Sequence, residues 1–248
     1  MSLILTAVSG LPVVQPGDDL AGLLIAALAP IGLESGDILV VCQKVVSKAE
    51  GRICRLDGIA PSPFALEIAA QTQGKDPRIV EIILRESKRI VRMDRGHLIV
   101  ETRGGWVCAN AGVDESNAPS ADTVILLPED PDLSAHRLRD ALQQHFDRHL
   151  AVLITDTFGR PWREGLVDFA LGVAGMDALL DLRGATDMNG RELHHTVMAQ
   201  ADALAAAAGL LMIKGAGLAA VLVRGYRYPP AAGTARSLVR ARELDLFR

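Results

Sequence analysis

The chain has 248 residues, 49% hydrophobic and 23% charged, which predicts a globular protein with a sizeable core and excludes a disordered or fibrous one. A net charge of −4 and an aromatic content of 4% argue against nucleic-acid binding and against a stacking platform for single strands. Cys42, Cys54 and Cys108 form no CxxC motif, and the N-terminus lacks the basic region of a signal peptide. These features predict a cytoplasmic protein with reduced thiols.

The first half of the chain predicts a buried strand, a helix and a hairpin. Residues 37–42 form a short apolar run after Gly36, which is typical of a buried strand. Asp76 and Pro77 are expected to open a helix, because proline is well tolerated in a first helical turn. A glycine pair at 104–105 predicts a hairpin between residues 97–102 and 106–109. The helix that begins at residues 76–77 is expected to have one mostly apolar face, formed by Ile79, Ile82, Ile83, Ser87 and Ile90.

The second half predicts further helices and strands. Helical patterns cover residues 133–145 and 199–208, and residues 236–242 are expected to form a basic helix. Residues 151–155 are typical of a central strand that delivers Asp156 at its C-terminal end, where α/β folds commonly place ligands. The elements indicate mixed α and β structure in one compact unit.

One apolar stretch could be mistaken for a membrane span. Residues 204–223 are almost all apolar, but Lys214 lies in the middle and three glycines interrupt the run. A buried helix, a turn and a strand over residues 218–223 therefore fit better than a membrane helix.

Two polar segments concentrate oxygen ligands. Asp114 and Asn117 lie in the segment 108–117, and Asp156 and Thr157 lie in the segment 154–165. Either aspartate alone is typical of an Asx turn or a helix N-cap. Together these groups suit a hard divalent cation that also holds phosphate oxygens.

Basic side chains accompany both segments. The planar guanidinium groups of Arg160 and Arg163 match phosphate or carboxylate groups. Lys44 and Lys48 follow the first buried strand, where lysines are ordinarily solvated, but at the mouth of a site they would serve as phosphate point charges. The combination predicts phosphoryl chemistry on an acidic substrate.

Other motifs are weaker. Residues 215–220 match the dinucleotide pattern GxGxxA, but a strand-like run follows where that pattern needs a helix, so a tight turn is the better interpretation. His145 and His149 have a zinc-chelating spacing on the predicted helix, without a third ligand nearby. His194 and His195 would face opposite ways on a strand. The sequence contains neither a P-loop nor a GxSxG elbow.

Three segments closely resemble the coenzyme F420-0:γ-glutamyl ligase family. They are residues 36–51 (Gly-Asp-Ile-Leu-Val-Val-Cys-Gln-Lys-Val-Val-Ser-Lys-Ala-Glu-Gly), 108–117 (Cys-Ala-Asn-Ala-Gly-Val-Asp-Glu-Ser-Asn) and 155–163 (Thr-Asp-Thr-Phe-Gly-Arg-Pro-Trp-Arg). The similarity runs in order from residue 10 to residue 248. It implies a mixed α/β (α+β) fold unrelated to P-loop enzymes, a homodimer with the site near the subunit interface, and a single catalytic unit over residues 1–248 without a C-terminal flavin-reductase-like extension.

The resemblance also implies an activity. Members of the family use GTP to add L-glutamate to a deazaflavin precursor, coenzyme F420-0, and then add further γ-linked glutamates. They require two divalent cations, Mg²⁺ or Mn²⁺, and are helped by K⁺. The expected partners are therefore small molecules and a second subunit, with no nucleic acid or membrane. How many glutamates this chain adds does not follow from the resemblance.

Carried over residue by residue, the family's site falls on positions in several segments. Asp114 and Asp156 resemble ligands of one cation, and Thr157 resembles a ligand of a second. The positions that resemble GTP-binding residues are Leu11, Pro12, Val13, Val14, Gln43, Lys48 and Asn117. Arg160 and Arg163 are candidate anchors for the acceptor or the glutamate. Near Lys214 the chain departs from the family, which has an acidic residue soon after this position, whereas residues 213–217 contain none.

The expected route is transfer of the GTP γ-phosphoryl group to the precursor's carboxylate, followed by attack of the glutamate amine on the acyl phosphate. No residue is expected to act as a covalent nucleophile, and no general base is assigned. Two other functions stay open from the residues: a nucleotide- and metal-dependent amide ligase with a different acidic acceptor, and an NAD(P) oxidoreductase that uses the glycines at 215 and 217. A catalytically inactive binding module is disfavoured, because every residue of the metal motif that can be aligned is present.

Overall fold

The computed structural model describes residues 2–72 and 74–246 and has a five-stranded sheet at its centre. The strands are β1 (Ile4–Ala7), β2 (Asp37–Cys42), β3 (Ile53–Arg55), β4 (Ser87–Asp94), β5 (His97–Thr102), β6 (Val107–Ala109), β7 (Thr123–Ile125), β8 (Leu150–Arg160), β9 (Arg163–Ala174), β10 (Leu180–Asp181), β11 (Val197–Met198) and β12 (Ala220–Arg224). The helices are α1 (Leu20–Leu28), α2 (Gln43–Ala49), α3 (Pro63–Gln71), α4 (Pro77–Glu86), α5 (Pro131–Phe146) and α6 (Gln200–Gly209). The mixed α/β prediction is thus confirmed.

The central sheet has the strand order β1-β12-β2-β8-β9. Among the described residues of this sheet, β2 and β8 pair in parallel and the other three pairs are antiparallel. Alternating side chains of β2 and β8 enter two different apolar clusters: Leu39 and Val152 join one, whereas Ile38 and Leu153 join the other. Because successive strand residues face opposite sides, the sheet has a core on each face. Helices α1 and α5 cover one face, and α6 covers the other.

Short polar side chains fix where the helices begin. The carboxylates of Asp19, Asp76 and Asp130 and the hydroxyl of Ser62 each accept a hydrogen bond from a backbone N–H of the first turn. A proline follows three of these caps, where its missing N–H costs nothing. The predicted helix start at Asp76 and Pro77 is therefore confirmed.

A third apolar cluster lies in the segment between α2 and α5. Helices α3 and α4 pack there against β5 and β7, with Ile68, Ile83, Leu98 and Val124 completely or almost completely buried. The strands of this segment form two small sheets, β3-β7 and β4-β5-β6. The chain thus leaves the central sheet after β2, builds a separate core, and returns to pair β8 beside β2.

Several sequence-based elements are confirmed. They are the buried strand β2, the β5–β6 hairpin, the helices α5 and α6, and the strand β12 after a turn that contains Gly215 and Gly217. Both glycines have positive φ, so residues 215–220 form a turn followed by a strand, as expected. No helix of the described residues is long and apolar enough to cross a membrane, in agreement with the interpretation of residues 204–223.

Other expectations are wrong in detail. Helix α4 ends at Glu86, so Ser87 and Ile90 belong to β4, because the strand pairing with β5 takes over there. Helix α5 ends at the left-handed C-cap Asp147, so His149 lies outside it and the expected i, i+4 pair on one helix is not formed. His194 and His195 are exposed and belong to neither β10 nor β11.

The predicted basic helix over residues 236–242 is also wrong. Two short 3-10 turns, Ala235–Leu238 and Arg242–Leu244, stand in its place. The Thr234 hydroxyl caps the first turn, and Val239 has extended backbone angles that end it. Phe247 and Arg248, the last residues of the family resemblance, lie outside the described residues.

Candidate functional site

A cavity of about 1380 Å³ lies at the end of the central sheet where the parallel strands finish. Its wall combines the segment after β1, the start of α2, the loop after β6, the β8–β9 hairpin and the turn before β12. Most of the residues predicted for the site line this one cavity: Leu11, Pro12, Val13, Val14, Lys48, Asp114, Asn117, Asp156, Thr157 and Arg160.

Two predicted residues are not in the cavity wall. Gln43 is completely buried at the start of α2, where its Oε1 accepts a hydrogen bond from the Ser47 hydroxyl at 2.8 Å. Arg163 is exposed near the tip of the β8–β9 hairpin, opposite Arg160. Lys48 and Arg160 thus line the cavity, whereas Gln43 and Arg163 do not. The binding roles of Gln43 and Arg163 stay predictions from the sequence.

The sheet explains the position of Asp156. Strand β2 ends at Cys42, opposite Thr155 of β8, and α2 begins at the next residue. Strand β8 continues to Arg160, paired with β9, so Asp156 does not follow the strand as the sequence suggested but lies within it. Because the parallel pairing with β2 stops at Thr155, Asp156 still lies at the carboxyl edge, where ligands are usually found.

The loop after β6 brings Asp114 to the same edge. The backbone of Asp114 forms an isolated bridge with Ile125 of β7. Its Oδ2 forms a 2.7 Å salt bridge with Lys44 Nζ, and its Oδ1 accepts a 2.6 Å hydrogen bond from the Ser116 backbone N–H. Burial by itself would raise the pKa of Asp114, but the hydrogen bonds from Lys44 and Ser116 outweigh it and hold the pKa below its ordinary value.

Asp156 has the opposite electrostatic balance. Burial raises the pKa of its carboxyl to about 7, and the negative charges of Asp114 and Asp168 add to the increase. The backbone N–H of Thr157 and the charge of Lys44 oppose it only in part. A carboxylate surrounded by other carboxylates is unfavourable unless a positive charge joins them, and such groups cluster at functional sites.

The other lysine of α2 is available for an anion. Among the residues that the structure describes, no carboxylate forms an ion pair with Lys48. Burial lowers the pKa of Lys48, and the nearby charge of Lys44 lowers it further. A lysine without a carboxylate partner at the wall of a cavity suits a phosphate group.

The donor groups of this edge fit a hard divalent cation. The carboxylates of Asp114 and Asp156 and the hydroxyl of Thr157 are oxygen ligands, which Mg²⁺ and Mn²⁺ prefer. Thr155 also lines the cavity, and its Oγ1 is buried without a hydrogen-bond partner in the described part of the chain. Residues 2–72 and 74–246 contain no group of three or more His, Cys, Asp or Glu residues placed to hold a metal, so remaining ligands would come from phosphate or water.

Sequence reasoning did not include Asp168 in the site. Asp168 lies on β9, opposite Thr157, and lines the cavity. The Thr157 hydroxyl donates a 2.7 Å hydrogen bond to its Oδ1. Burial raises the pKa of Asp168, while the Thr157 hydrogen bond and the charge of Lys214 act to lower it. The contact depends on the β8–β9 hairpin, which pairs residues on either side of Pro161 and Trp162 and which the sequence analysis did not predict.

Lys44 was considered as a phosphate ligand, but the structure gives it a different partner. Its ammonium group contacts both Asp114 and Ser116, which ties the start of α2 to the loop after β6. Lys214, where the chain departs from the family pattern, lines the cavity on the turn before β12. The positive charge of Lys214 acts to lower the pKa of Asp168. Asp168 is therefore an acidic group close to this turn, whose own residues 213–217 contain none.

The chain is similar to known proteins over nearly its whole length. The family model described as F420-0:Gamma-glutamyl ligase matches residues 10–225. A coenzyme F420:L-glutamate ligase of Methanothermobacter thermautotrophicus is 49% identical over 253 residues, with 100% of both chains covered. The enzyme of the same name from Methanopyrus kandleri is 50% identical and covers 95% of this chain and 93% of its own.

A third relative shows the same relationship at a lower identity. The coenzyme F420:L-glutamate ligase of Methanocaldococcus jannaschii is 41% identical, with 96% of this chain and 94% of its own length covered. The matched region includes the loop after β6, the β8–β9 hairpin and the start of α2, which all contribute to the cavity wall. The chain belongs to the F420-0:gamma-glutamyl ligase family.

Proposed function

We propose that this chain uses GTP to ligate L-glutamate to coenzyme F420-0 and then adds successive γ-linked glutamates. The observation that carries the proposal is that the predicted cation residues and all of the predicted nucleotide residues except Gln43 line one cavity of about 1380 Å³. Family membership and relatives named coenzyme F420:L-glutamate ligase support the acceptor and the amino acid.

The nucleotide end of the cavity is assigned to the segment after β1 and to α2. Leu11 to Val14 supply an apolar wall that suits a base or ribose, and Val13 is 76% exposed on it. Lys48 offers a positive charge to the phosphates. Asn117 has a left-handed backbone (φ 59°), which places an amide side chain in a tight turn at the wall.

The cation end is assigned to Asp114 and Asp156 for one ion and Thr157 for a second. When bound, Mg²⁺ or Mn²⁺ would neutralise phosphate charge during transfer. The protein's part is to hold Asp114 in place through Lys44 and Ser116 and to keep Asp156 at the sheet edge. We keep stimulation by K⁺ as a further expectation, based on the family resemblance.

The chemistry requires that a carboxylate oxygen be turned into a leaving group. The acceptor carboxylate attacks the γ-phosphorus of GTP, a P–O bond to GDP breaks, and an acyl phosphate forms. The amine of glutamate then attacks the acyl carbon, loses a proton, and releases phosphate. Such a sequence needs positioning and electrostatic stabilisation rather than a covalent enzyme intermediate.

Arg160 is the candidate anchor for the acceptor or the incoming glutamate. It lines the cavity, its Nη2 donates to the Glu164 carbonyl at 3.0 Å, and its Nε is buried without a partner among the described residues. Arg163 is proposed for the same task with less support, because it is exposed outside the cavity wall.

We further propose that the chain acts as a homodimer. Trp162 is 80% exposed and Leu166 is 62% exposed on the β8–β9 hairpin, and a second copy packed there would remove these two large apolar side chains from water. The same two residues line the cavity, so a partner subunit on this hairpin would lie beside the site.

Mass spectrometry of coenzyme F420-0 incubated with the protein, GTP, Mn²⁺ and L-glutamate tests the function. We expect mass additions that correspond to glutamate residues and that depend on GTP and Mn²⁺. GTP binding without glutamate addition would favour the second candidate, an amide ligase with a different acidic acceptor. Failure to bind GTP in the presence of Mn²⁺ would contradict the proposed function.

A further inference from the structure

Asp168 makes a contact that joins the two strands of the hairpin inside the cavity. Thr157 Oγ1 donates a 2.7 Å hydrogen bond to Asp168 Oδ1, and both residues line the cavity. The two residues are direct partners in the β8–β9 register. The backbone ladder on either side already holds the hairpin together, so the side-chain bond is not needed to form it.

The direction of this hydrogen bond matters for the chemistry of Thr157. A hydroxyl group has one proton and two lone pairs. With its proton engaged by the Asp168 carboxylate, the oxygen keeps its lone pairs for other partners. Without an acceptor at Asp168, the hydroxyl could rotate and direct its proton toward a cation, which would repel it.

The end of α6 limits where the Asp168 carboxylate can lie. A Cβ atom added at Gly209 would be 2.8 Å from Asp168 Oδ2 and 2.9 Å from its Cγ. Glycine has a lower helix propensity than alanine, yet it occupies the last position of α6. The absence of a side chain at Gly209 therefore leaves room for the carboxylate to face Thr157.

We propose that Asp168 is a positioning residue that orients the Thr157 hydroxyl so that its oxygen lone pairs face a divalent cation in the cavity. Asp168 acts through Thr157 rather than on the substrates. The inference rests on the proposed function, in which Thr157 is a cation ligand, and adds to it a residue that the family motifs did not point to.

Mn²⁺ binding to the full-length protein with GTP, followed by the electron paramagnetic resonance signal of free Mn²⁺, tests the proposal without measuring activity. Loss of a partner that orients a metal ligand typically weakens metal binding by roughly 10–100-fold. We expect Asp168→Ala to weaken one Mn²⁺ binding step by this factor. The exposed Asp140 of α5 provides the control, and Asp140→Ala should bind Mn²⁺ like the wild type.

A double-mutant cycle separates positioning through Thr157 from a direct effect of charge. If Asp168 acts through Thr157, the variant with both Thr157→Val and Asp168→Ala should bind Mn²⁺ no more weakly than Thr157→Val alone. Additive losses would overturn the proposal, and so would unchanged binding by Asp168→Ala.

Gly209→Ala gives a second route that does not depend on the folding of the Asp168 variants. The added methyl group must displace the carboxylate, while the substitution itself favours the helix. We expect weaker Mn²⁺ binding by a folded protein, and wild-type binding would contradict the proposal. If the wild-type protein with GTP binds no Mn²⁺, the proposed function and this inference both fail, whereas loss of the Asp168 effect alone overturns only the inference.

Discussion

At the scale of single residues, the candidate site is a place where like charges are held together. Asp156 lies near Asp114 and Asp168, and burial raises its pKa to about 7. Lys44 neutralises Asp114 through a 2.7 Å salt bridge. This arrangement costs stability unless a cation or substrate compensates for it, which is typical of functional sites.

The first prediction concerns Asp156 itself. Asp156→Asn keeps the shape of the side chain and removes a buried negative charge, so the protein should fold and melt at or above the wild-type temperature. Loss of a residue that only orients a metal ligand typically costs roughly 10–100-fold in activity. Because Asp156 is proposed to bind the cation directly, Asp156→Asn should lower the cation-dependent activity by more than this. Steady-state rates at saturating Mg²⁺ check this, with Asp140→Asn as the exposed control. An unchanged rate for Asp156→Asn would refute the assignment.

The second prediction concerns the two cysteines in the cavity wall. Burial raises the pKa of Cys42 to about 11 and that of Cys108 to about 12, with the charge of Asp156 adding to both. Because the thiolate is the reactive form, both thiols should react slowly with iodoacetamide at pH 7.5 in the folded protein and faster as the pH rises toward 10. Peptide mass mapping, with urea-unfolded protein as the control, measures this. Rapid labelling of either cysteine at pH 7.5 would show that burial does not raise the pKa of that thiol.

At the scale of elements, the β8–β9 hairpin carries four residues of the candidate site. It carries Asp156, Thr157 and Arg160 on one strand and Asp168 on the other. The sequence predicted the start of β8 correctly, because residues 151–155 are a continuous apolar run. It did not predict that the strand continues, since the glycine and proline at 159 and 161 are typical of loops. Asp168 was missed for that reason.

The third prediction tests the packing that fixes this hairpin against α5. A Cβ at Gly172 of β9 would lie within 2.5 Å of the carbonyl carbon of Pro131, and neither backbone can move freely. Gly172→Ala should therefore destabilise the protein by about 3 kcal/mol, the upper end for overpacking. Urea unfolding measures this against Gly58→Ala, a position where an added Cβ meets no atom within 4 Å. Equal stability of the two variants would contradict the packing described for β9.

At the scale of the whole molecule, the site depends on segments that are distant in sequence. Residues after β1, at the start of α2, in the loop after β6 and in the turn before β12 meet because the chain returns to the central sheet after building a separate core. Sequence periodicity predicted several of these elements, but the strand order depends on long-range pairing that no local pattern encodes. The motifs at 108–117 and 155–163 predicted candidate site residues because their chemistry is local, whereas the role of Lys44 as the partner of Asp114 required the fold.

The fourth prediction concerns assembly. If the exposed apolar face of the β8–β9 hairpin is covered by a second copy, sedimentation should show a dimer, and Trp162→Glu should shift it toward monomer. Phe64→Glu changes an equally apolar, 53% exposed residue on α3 and should leave the mass unchanged. A monomeric wild-type protein would refute the dimer, and a dimer that survives Trp162→Glu would place its interface elsewhere.

The central claim is that the acceptor carboxylate is phosphorylated by GTP before glutamate attacks. The most direct measurement uses coenzyme F420-0 with ¹⁸O in its acceptor carboxylate and follows the oxygen by mass spectrometry of the released phosphate. Because the P–O bond forms to a carboxylate oxygen and the C–O bond breaks later, each turnover should transfer one ¹⁸O to phosphate while one glutamate is added. Glutamate addition with unlabelled phosphate would contradict the acyl-phosphate route, and no addition at all would contradict the proposed function.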